Sequence, residues 1–189
     1  SRLLTAVNPT GTLSHTYDPL GRLSSVTFPN AKTVSYLYDP ASNRTRLTYP
    51  GSVQVNSTYD ELNRLKTLTD LNAQTIGCSY DALSRRTGMS FPNGVSTAYS
   101  YDGANRLTRL ASTRTATTLS QVDYTYDELG NRLTDARQPA NTTSTFTYDP
   151  LSQLTSATTP ARAYAYDPVG NRLTAEGQAY TPNSLNQYS

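Results

Sequence analysis

Apolar and polar residues alternate with period two through short segments of the chain. Val34, Tyr36 and Tyr38 fall on one side, as do Val55, Ser57 and Tyr59, then Ile76, Cys78 and Tyr80, and later Val122, Tyr124 and Tyr126. Phe146 with Tyr148 and Tyr164 with Tyr166 continue the pattern. This alternation predicts half-buried β-strands of about six residues. Turn residues bound each segment: Phe28-Pro29-Asn30, Tyr49-Pro50-Gly51, Asp70-Leu71-Asn72 and Phe91-Pro92-Asn93-Gly94 mark one side. No apolar run exceeds four residues, far below the length of a membrane-spanning helix.

The other end of each strand pair is marked by a dipeptide. Tyr-Asp occurs at Tyr17-Asp18, Tyr38-Asp39, Tyr59-Asp60, Tyr80-Asp81, Tyr101-Asp102, Tyr126-Asp127, Tyr148-Asp149 and Tyr166-Asp167. The intervals are 21, 21, 21, 21, 25, 22 and 18 residues, so the chain is a tandem repeat. Three residues after each Asp stands Gly21, Ser42, Asn63, Ser84, Asn105, Gly130, Ser152 or Gly170. An arginine follows at once or one residue later (Arg22, Arg44, Arg64, Arg85, Arg106, Arg132, Arg172), with Gln153 the exception. Leucine usually comes next, at Leu23, Leu65, Leu107, Leu133, Leu154 and Leu173, so Asn43, Asn131 and Asn171 read as an optional extra residue.

Asp accepts hydrogen bonds from backbone amides two residues on, and Pro19, Pro40, Pro150 and Pro168 preset the next φ for a type I turn. Gly or Asn then supplies the left-handed residue of a bulged hairpin, whereas Ser42, Ser84 and Ser152 predict strain or an altered turn. Each repeat is therefore two strands and two turns, giving sixteen or so strands in a meander. Strands about 4.8 Å apart place equivalent tyrosines about 10 Å apart. The 25-residue repeat carries its extra residues in the Thr-rich stretch from Ala111 to Gln121, expected in a turn. No linker or second domain is visible, and residues 1–189 read as one array of all-β hairpins in a twisted, curved sheet.

Composition narrows the functions. Thirty threonines and fifteen tyrosines, with no tryptophan, suit β-structure. A net charge of +2 does not announce nucleic acid. One cysteine, Cys78, excludes an intramolecular disulfide framework, and one histidine, His15, leaves little for acid–base or metal chemistry. His15 and Cys78 both occupy the slot two before the repeat tyrosine and read as packing residues.

The recurrent Tyr-Asp-x-x-Gly-Asn-Arg-Leu, fullest at Tyr126 to Leu133 and Tyr166 to Leu173, resembles the RHS repeat, also called the YD repeat, over nearly the whole chain. The segment Asn183-Ser184-Leu185-Asn186-Gln187-Tyr188 is similar to one found within such arrays. The resemblance implies a β-sheet spiralling into a hollow shell, as in bacterial RHS proteins, the C components of Tc toxins and teneurins. In bacterial members the shell encloses a C-terminal toxin. Eight repeats are too few to close a large cavity, and the family's aspartyl self-cleavage segment has no counterpart here. The expectation is therefore a stretch of shell wall truncated at both ends, in a secreted or cell-surface bacterial protein. Its partners would be the rest of the shell and the enclosed toxin polypeptide, with edge-to-edge self-association through the terminal strands.

No catalytic residue, metal site or cofactor is expected. Calcium requires six to eight oxygen ligands, and each turn offers one carboxylate beside an apolar residue. Arg–Asp pairing within or between repeats accounts for the arginines better than a nucleic-acid stripe does. The residues expected to hold the wall are each Tyr-Asp pair together with Gly21, Arg22, Gly130, Arg132, Gly170 and Arg172. The alternative reading is a surface adhesion module stacking glycans on exposed tyrosines, with Tyr99 and Tyr124 as the candidates.

Overall fold

The computed structural model describes residues 2–9 and 11–181. The similarity noted at Asn183 to Tyr188 lies outside the described residues. Every regular element among the described residues is a β-strand, and no helix is long and apolar enough to cross a membrane. The chain divides into two compact units, Ser1–Gly94 and Val95–Ser189.

The first unit contains β1 (Thr5–Asn8), β2 (Gly11–Tyr17), β3 (Leu23–Thr27), β4 (Thr33–Tyr38), β5 (Arg44–Thr48), β6 (Gln54–Tyr59), β7 (Leu65–Thr69), β8 (Thr75–Tyr80) and β9 (Arg86–Ser90). Each strand pairs antiparallel with its neighbour in the chain. From β2 onward in this unit, even-numbered strands enter a Tyr-Asp turn and odd-numbered strands leave it.

The second unit contains β10 (Val95–Tyr101), β11 (Leu107–Arg114), β12 (Thr117–Tyr126), β13 (Arg132–Gln138), β14 (Thr142–Tyr148), β15 (Leu154–Thr158), β16 (Ala161–Tyr166), β17 (Arg172–Ala175) and β18 (Gln178–Ala179), again a chain-order antiparallel meander. The strand total exceeds the sixteen expected because β1 and β18 pair outside the eight Tyr-Asp hairpins.

The extra residues of the 25-residue repeat do not form a loop. They lengthen β11 and β12 to eight and ten residues and close them with Thr115 and Ala116, at φ 47° and 65°. Two consecutive left-handed residues make the two-residue turn whose twist matches its flanking strands, so β-prone threonines extend the ladder.

Cross-strand partners share a face, and the two faces differ chemically. On one face Val26 stands opposite Val34, Tyr36 opposite Leu47, Leu47 opposite Val55, and Leu68 opposite Ile76. The other face carries hydroxyls that bond one another, including Thr27 with Thr33 (3.0 Å), Thr58 with Thr67 (2.6 Å), Thr69 with Thr75 (2.9 Å) and Thr125 with Thr134 (2.7 Å). We call them the tyrosine face and the threonine face. Burial is shallow on both. Among the described residues only Asp135, Ser144 and Ala175 fall in the buried class.

Candidate functional site

The Tyr-Asp turns have one backbone geometry. In each, the Asp amide donates to the carbonyl four residues on (2.9–3.0 Å), and the amide of the third residue after Asp donates back to the Asp carbonyl (2.8–3.2 Å). That third residue is left-handed in every case: Gly21 at φ 83°, Gly130 at 90°, Gly170 at 89°, Asn63 at 61° and Asn105 at 65°. Ser42, Ser84 and Ser152 adopt it too, at 71°, 62° and 62°, so serine does not alter the turn. The side chain offsets the unfavourable φ. In the turn of Asp60, one carboxylate oxygen accepts from the amides of Leu62 and Arg64, each at 3.0 Å, and Asp81 and Asp149 repeat the arrangement.

Uniform turn length corrects one reading of the sequence. The asparagines at 43, 131 and 171 are not insertions. They occupy the fourth position after Asp, where Arg22, Arg64, Arg85 and Arg106 stand in other repeats. The fifth position, directly opposite the repeat tyrosine, alternates without exception: Leu23, Arg44, Leu65, Arg86, Leu107, Arg132, Leu154, Arg172. A bulge at each of these pairs fixes that register. Leu133 and Leu173 are consequently one place beyond Leu107 and Leu154.

The two fourth-position residues do different work. Arg22, Arg64, Arg85 and Arg106 each donate Nε to their own Asp at 2.7 Å. Arg22, Arg64 and Arg106 also reach the next repeat. Their Nη1 atoms donate to the carbonyls of Asp39 (2.8 Å), Asp81 (3.0 Å) and Asp127 (2.6 Å). The same guanidiniums lie 4.7–4.9 Å from the rings of Tyr38, Tyr80 and Tyr126. Asn43 and Asn131 bond their own Asp at 3.0 and 2.9 Å and send the same amide only to Asn63 Oδ1 and Ser152 Oγ in the next turn. Arginine therefore braces the next backbone, whereas asparagine touches a neighbouring side chain.

The tyrosines tie each hairpin back to the one before. Tyr38, Tyr59, Tyr80, Tyr126, Tyr148 and Tyr166 donate their hydroxyls, at 2.7–3.1 Å, to the carbonyls of Leu23, Arg44, Leu65, Leu107, Arg132 and Leu154. Tyr17 bonds the Leu3 carbonyl in the same way, so Leu3 plays the part of a fifth-position residue.

Electrostatics follow from these contacts. The Arg64 amide, then its side chain, hold the Asp60 carboxyl below its ordinary range, and the Arg106 amide leads at Asp102. The asparagine side chain leads at Asp39, Asp127 and Asp167, also downward. At Asp18 and Asp81 burial is the largest influence and pushes upward, but Arg22 and Arg85 together outweigh it.

Arginines at the fifth position lie on the tyrosine face. Arg44, Arg132 and Arg172 sit 5.9, 5.6 and 5.4 Å from the rings of Tyr36, Tyr124 and Tyr164, and Arg132 is also 4.6 Å from Phe146. One side of the glycan candidate Tyr124 is thus taken by Arg132. The other candidate, Tyr99, stands opposite Leu110. His15 and Cys78 face Val26 and Met89 across the sheet, and the described residues contain no cluster of three metal-ligating side chains.

One charged group escaped the sequence reading. The eighth position after Asp is apolar in the other repeats (Val26, Leu47, Leu68, Met89, Leu110, Ala157, Ala175) but is Asp135 in the sixth. Asp135 is 3% exposed, and Arg137 donates Nε and Nη2 to it at 3.1 and 3.3 Å. Arg132 Nη2 lies 4.0 Å from the same carboxylate. A fixed count from each Asp would have revealed the exception.

The family profile described as RHS Repeat matches residues 17–54, 80–118 and 126–163, more than half of the chain. No curated protein matches. Among solved structures, a crystal structure of TcdB2-TccC3-TEV is 18% identical, with a TM-score of 0.74 over 93% of this chain and 12% of its own. A crystal structure of TcdB2-TccC3 without the hypervariable C-terminal region is 19% identical, with a TM-score of 0.71 over 98% of this chain and 12% of its own. The Photorhabdus luminescens Tc holotoxin pore is 20% identical, with a TM-score of 0.56 over 90% of this chain and 9% of its own. The fold is thus that of a short stretch of much longer chains, and with the repeat profile matched at three places the chain belongs to the RHS-repeat family.

Proposed function

We propose that this chain is a segment of the wall of a secreted or surface-exposed shell, and that its role is to sequester a C-terminal toxin polypeptide from solvent and proteases. The observation that carries the reading is the double bracing of successive hairpins. Arginines of one hairpin hold the backbone of the next, while tyrosines of each hold the backbone of the one before. Such nearest-neighbour ties suit a long continuous wall, in which each repeat is stabilised chiefly by adjacent repeats. The likeness in fold to TcdB2-TccC3 supports the same reading. The wall would act by excluding water and proteases rather than by bond-making chemistry.

Cargo protection tests this. In the polypeptide that carries the array with its C-terminal cargo, added protease should leave the cargo intact until the wall is opened by urea. Cleavage at the rate of free cargo, or negative-stain images of a solid globule, would overturn the proposal.

A further inference from the structure

We propose that the tyrosine face of the second unit seats an acidic stretch of unfolded polypeptide. The inference rests on the enclosure reading and adds which face meets the cargo and what chemistry it prefers. In the first unit the eighth-position row of that face is apolar, with Val26, Leu47, Leu68 and Met89. In the second unit the same face adds Arg137 and Arg162 to the fifth-position Arg132 and Arg172, which correspond to Arg44 and Arg86 of the first unit, against the acids Asp135 and Glu176.

Arg132, Arg137 and Arg162 meet acids through part of their guanidinium groups while much of each side chain stays open. Arg137 is 59% exposed while bonded to buried Asp135, and Arg132 is 42% exposed beside the same carboxylate. Arg162, 44% exposed, pairs with Glu176 at 2.6 Å. A buried carboxylate that orients two guanidiniums leaves their outer N–H groups aimed at solvent, where they fit incoming carboxylates. A depression lined by Arg162, Tyr164, Arg172, Gln178 and Tyr180, with Glu176 as its one acid, adjoins this surface.

The surface fits polypeptide better than nucleic acid. Single-stranded nucleic acid needs open rings for base stacking, yet Arg132 lies against Tyr124 and Phe146, and Arg172 against Tyr164. Ala157, between Phe146 and Arg162 across the sheet, offers apolar contact instead.

Fluorescence anisotropy with a labelled glutamate–tyrosine copolymer tests the proposal on the intact chain. Binding should weaken as salt is raised and exceed that of a lysine–tyrosine copolymer or an oligothymidylate. The triple change Arg132→Leu, Asp135→Leu and Arg137→Gln should weaken it at least 10-fold, with leucine matching what other repeats carry at the first two positions. Arg162→Val with Arg172→Leu tests the same surface should the triple variant misfold. Arg109→Gln, whose arginine pairs with Asp123 on the threonine face, should leave binding unchanged. Absence of glutamate-copolymer binding, retention of binding by both folded variants, or tighter binding of oligothymidylate overturns the proposal. The enclosure reading is judged separately, by cargo protection.

Discussion

The two units are built on one turn and decorated differently. In Ser1–Gly94 the Tyr-Asp pairs recur every 21 residues, and three of its four turns close with an Asp–Arg pair. In Val95–Ser189 the intervals vary, the last three turns carry Asn131, Gln153 and Asn171 at the fourth position, and a carboxylate interrupts the apolar row. The hydrogen bonds of the turn itself do not change between them. The backbone turn therefore defines the hairpin, and the flanking side chains are free to vary with the needs of each face.

The largest expected effect is common to both units and is driven by acid. Carboxyls at Asp18, Asp39, Asp60 and Asp81 in one unit, and Asp102, Asp127 and Asp167 in the other, are held below the ordinary value of 3.8. A depressed folded-state value gives stability that is complete above the unfolded value and disappears as pH falls through the folded one. Melting temperature should stay level from neutral pH down to about pH 5 and fall steeply below about pH 4. Hydrogen exchange should show both units loosening together. Loss confined to the first unit, where three turns close with Asp–Arg pairs, would mean that ion pairs, rather than amide bonds, dominate.

A local contrast comes next. Leu68→Asp places a carboxylate in the apolar row between Ser57 and Ile76 and should cost roughly 2–4 kcal/mol in urea unfolding. Asp135→Leu, the reverse change at the equivalent place, should fall within about 1 kcal/mol of neutral, because Arg132 and Arg137 can turn to solvent. Equal losses at both sites would erase the distinction between the units.

Arg64→Ala removes an ion pair, a strut to the Asp81 carbonyl and the contact with Tyr80, so about 1–2 kcal/mol should be lost. Asn131→Ala, which leaves the next backbone untouched, should cost about 0.5–1 kcal/mol. A change of similar size and common to both units is Tyr80→Phe or Tyr126→Phe. Each deletes one hydroxyl bond to a carbonyl and should cost about 0.5–1.5 kcal/mol, alike in the two units.

Much of this architecture can be read from the chain alone, because a strand's period and a turn's φ requirement are local. Tyr-Asp followed three residues later by Gly or Asn specifies a bulged hairpin wherever it occurs, and alternating apolar positions specify which side is shielded. Local reading fails where two repeats must be compared in register. Counting from arginine rather than from Asp turned Asn43, Asn131 and Asn171 into insertions and hid the Leu–Arg alternation. Intrinsic φ preference argues against serine at the third position, yet the Asp-centred hydrogen bonds override it at Ser42, Ser84 and Ser152. The threonine-rich stretch after Leu110 reads as a turn because insertions in a repeat belong in turns, whereas pairing with β12 satisfies its backbone as strand.

The order of strands, the position of each Tyr-Asp turn and the RHS-type repeat were thus determined by the sequence itself, since each depends on residues within one hairpin. Only the tertiary structure decided that arginines brace the hairpin ahead while tyrosines hold the one behind. It also decided that Arg132 and Arg137 gather beside the Asp135 carboxylate. The bracing contacts join groups 12 to 21 residues apart, or set side chains from different strands on one face, and their distances follow from strand pairing rather than from any neighbouring residue.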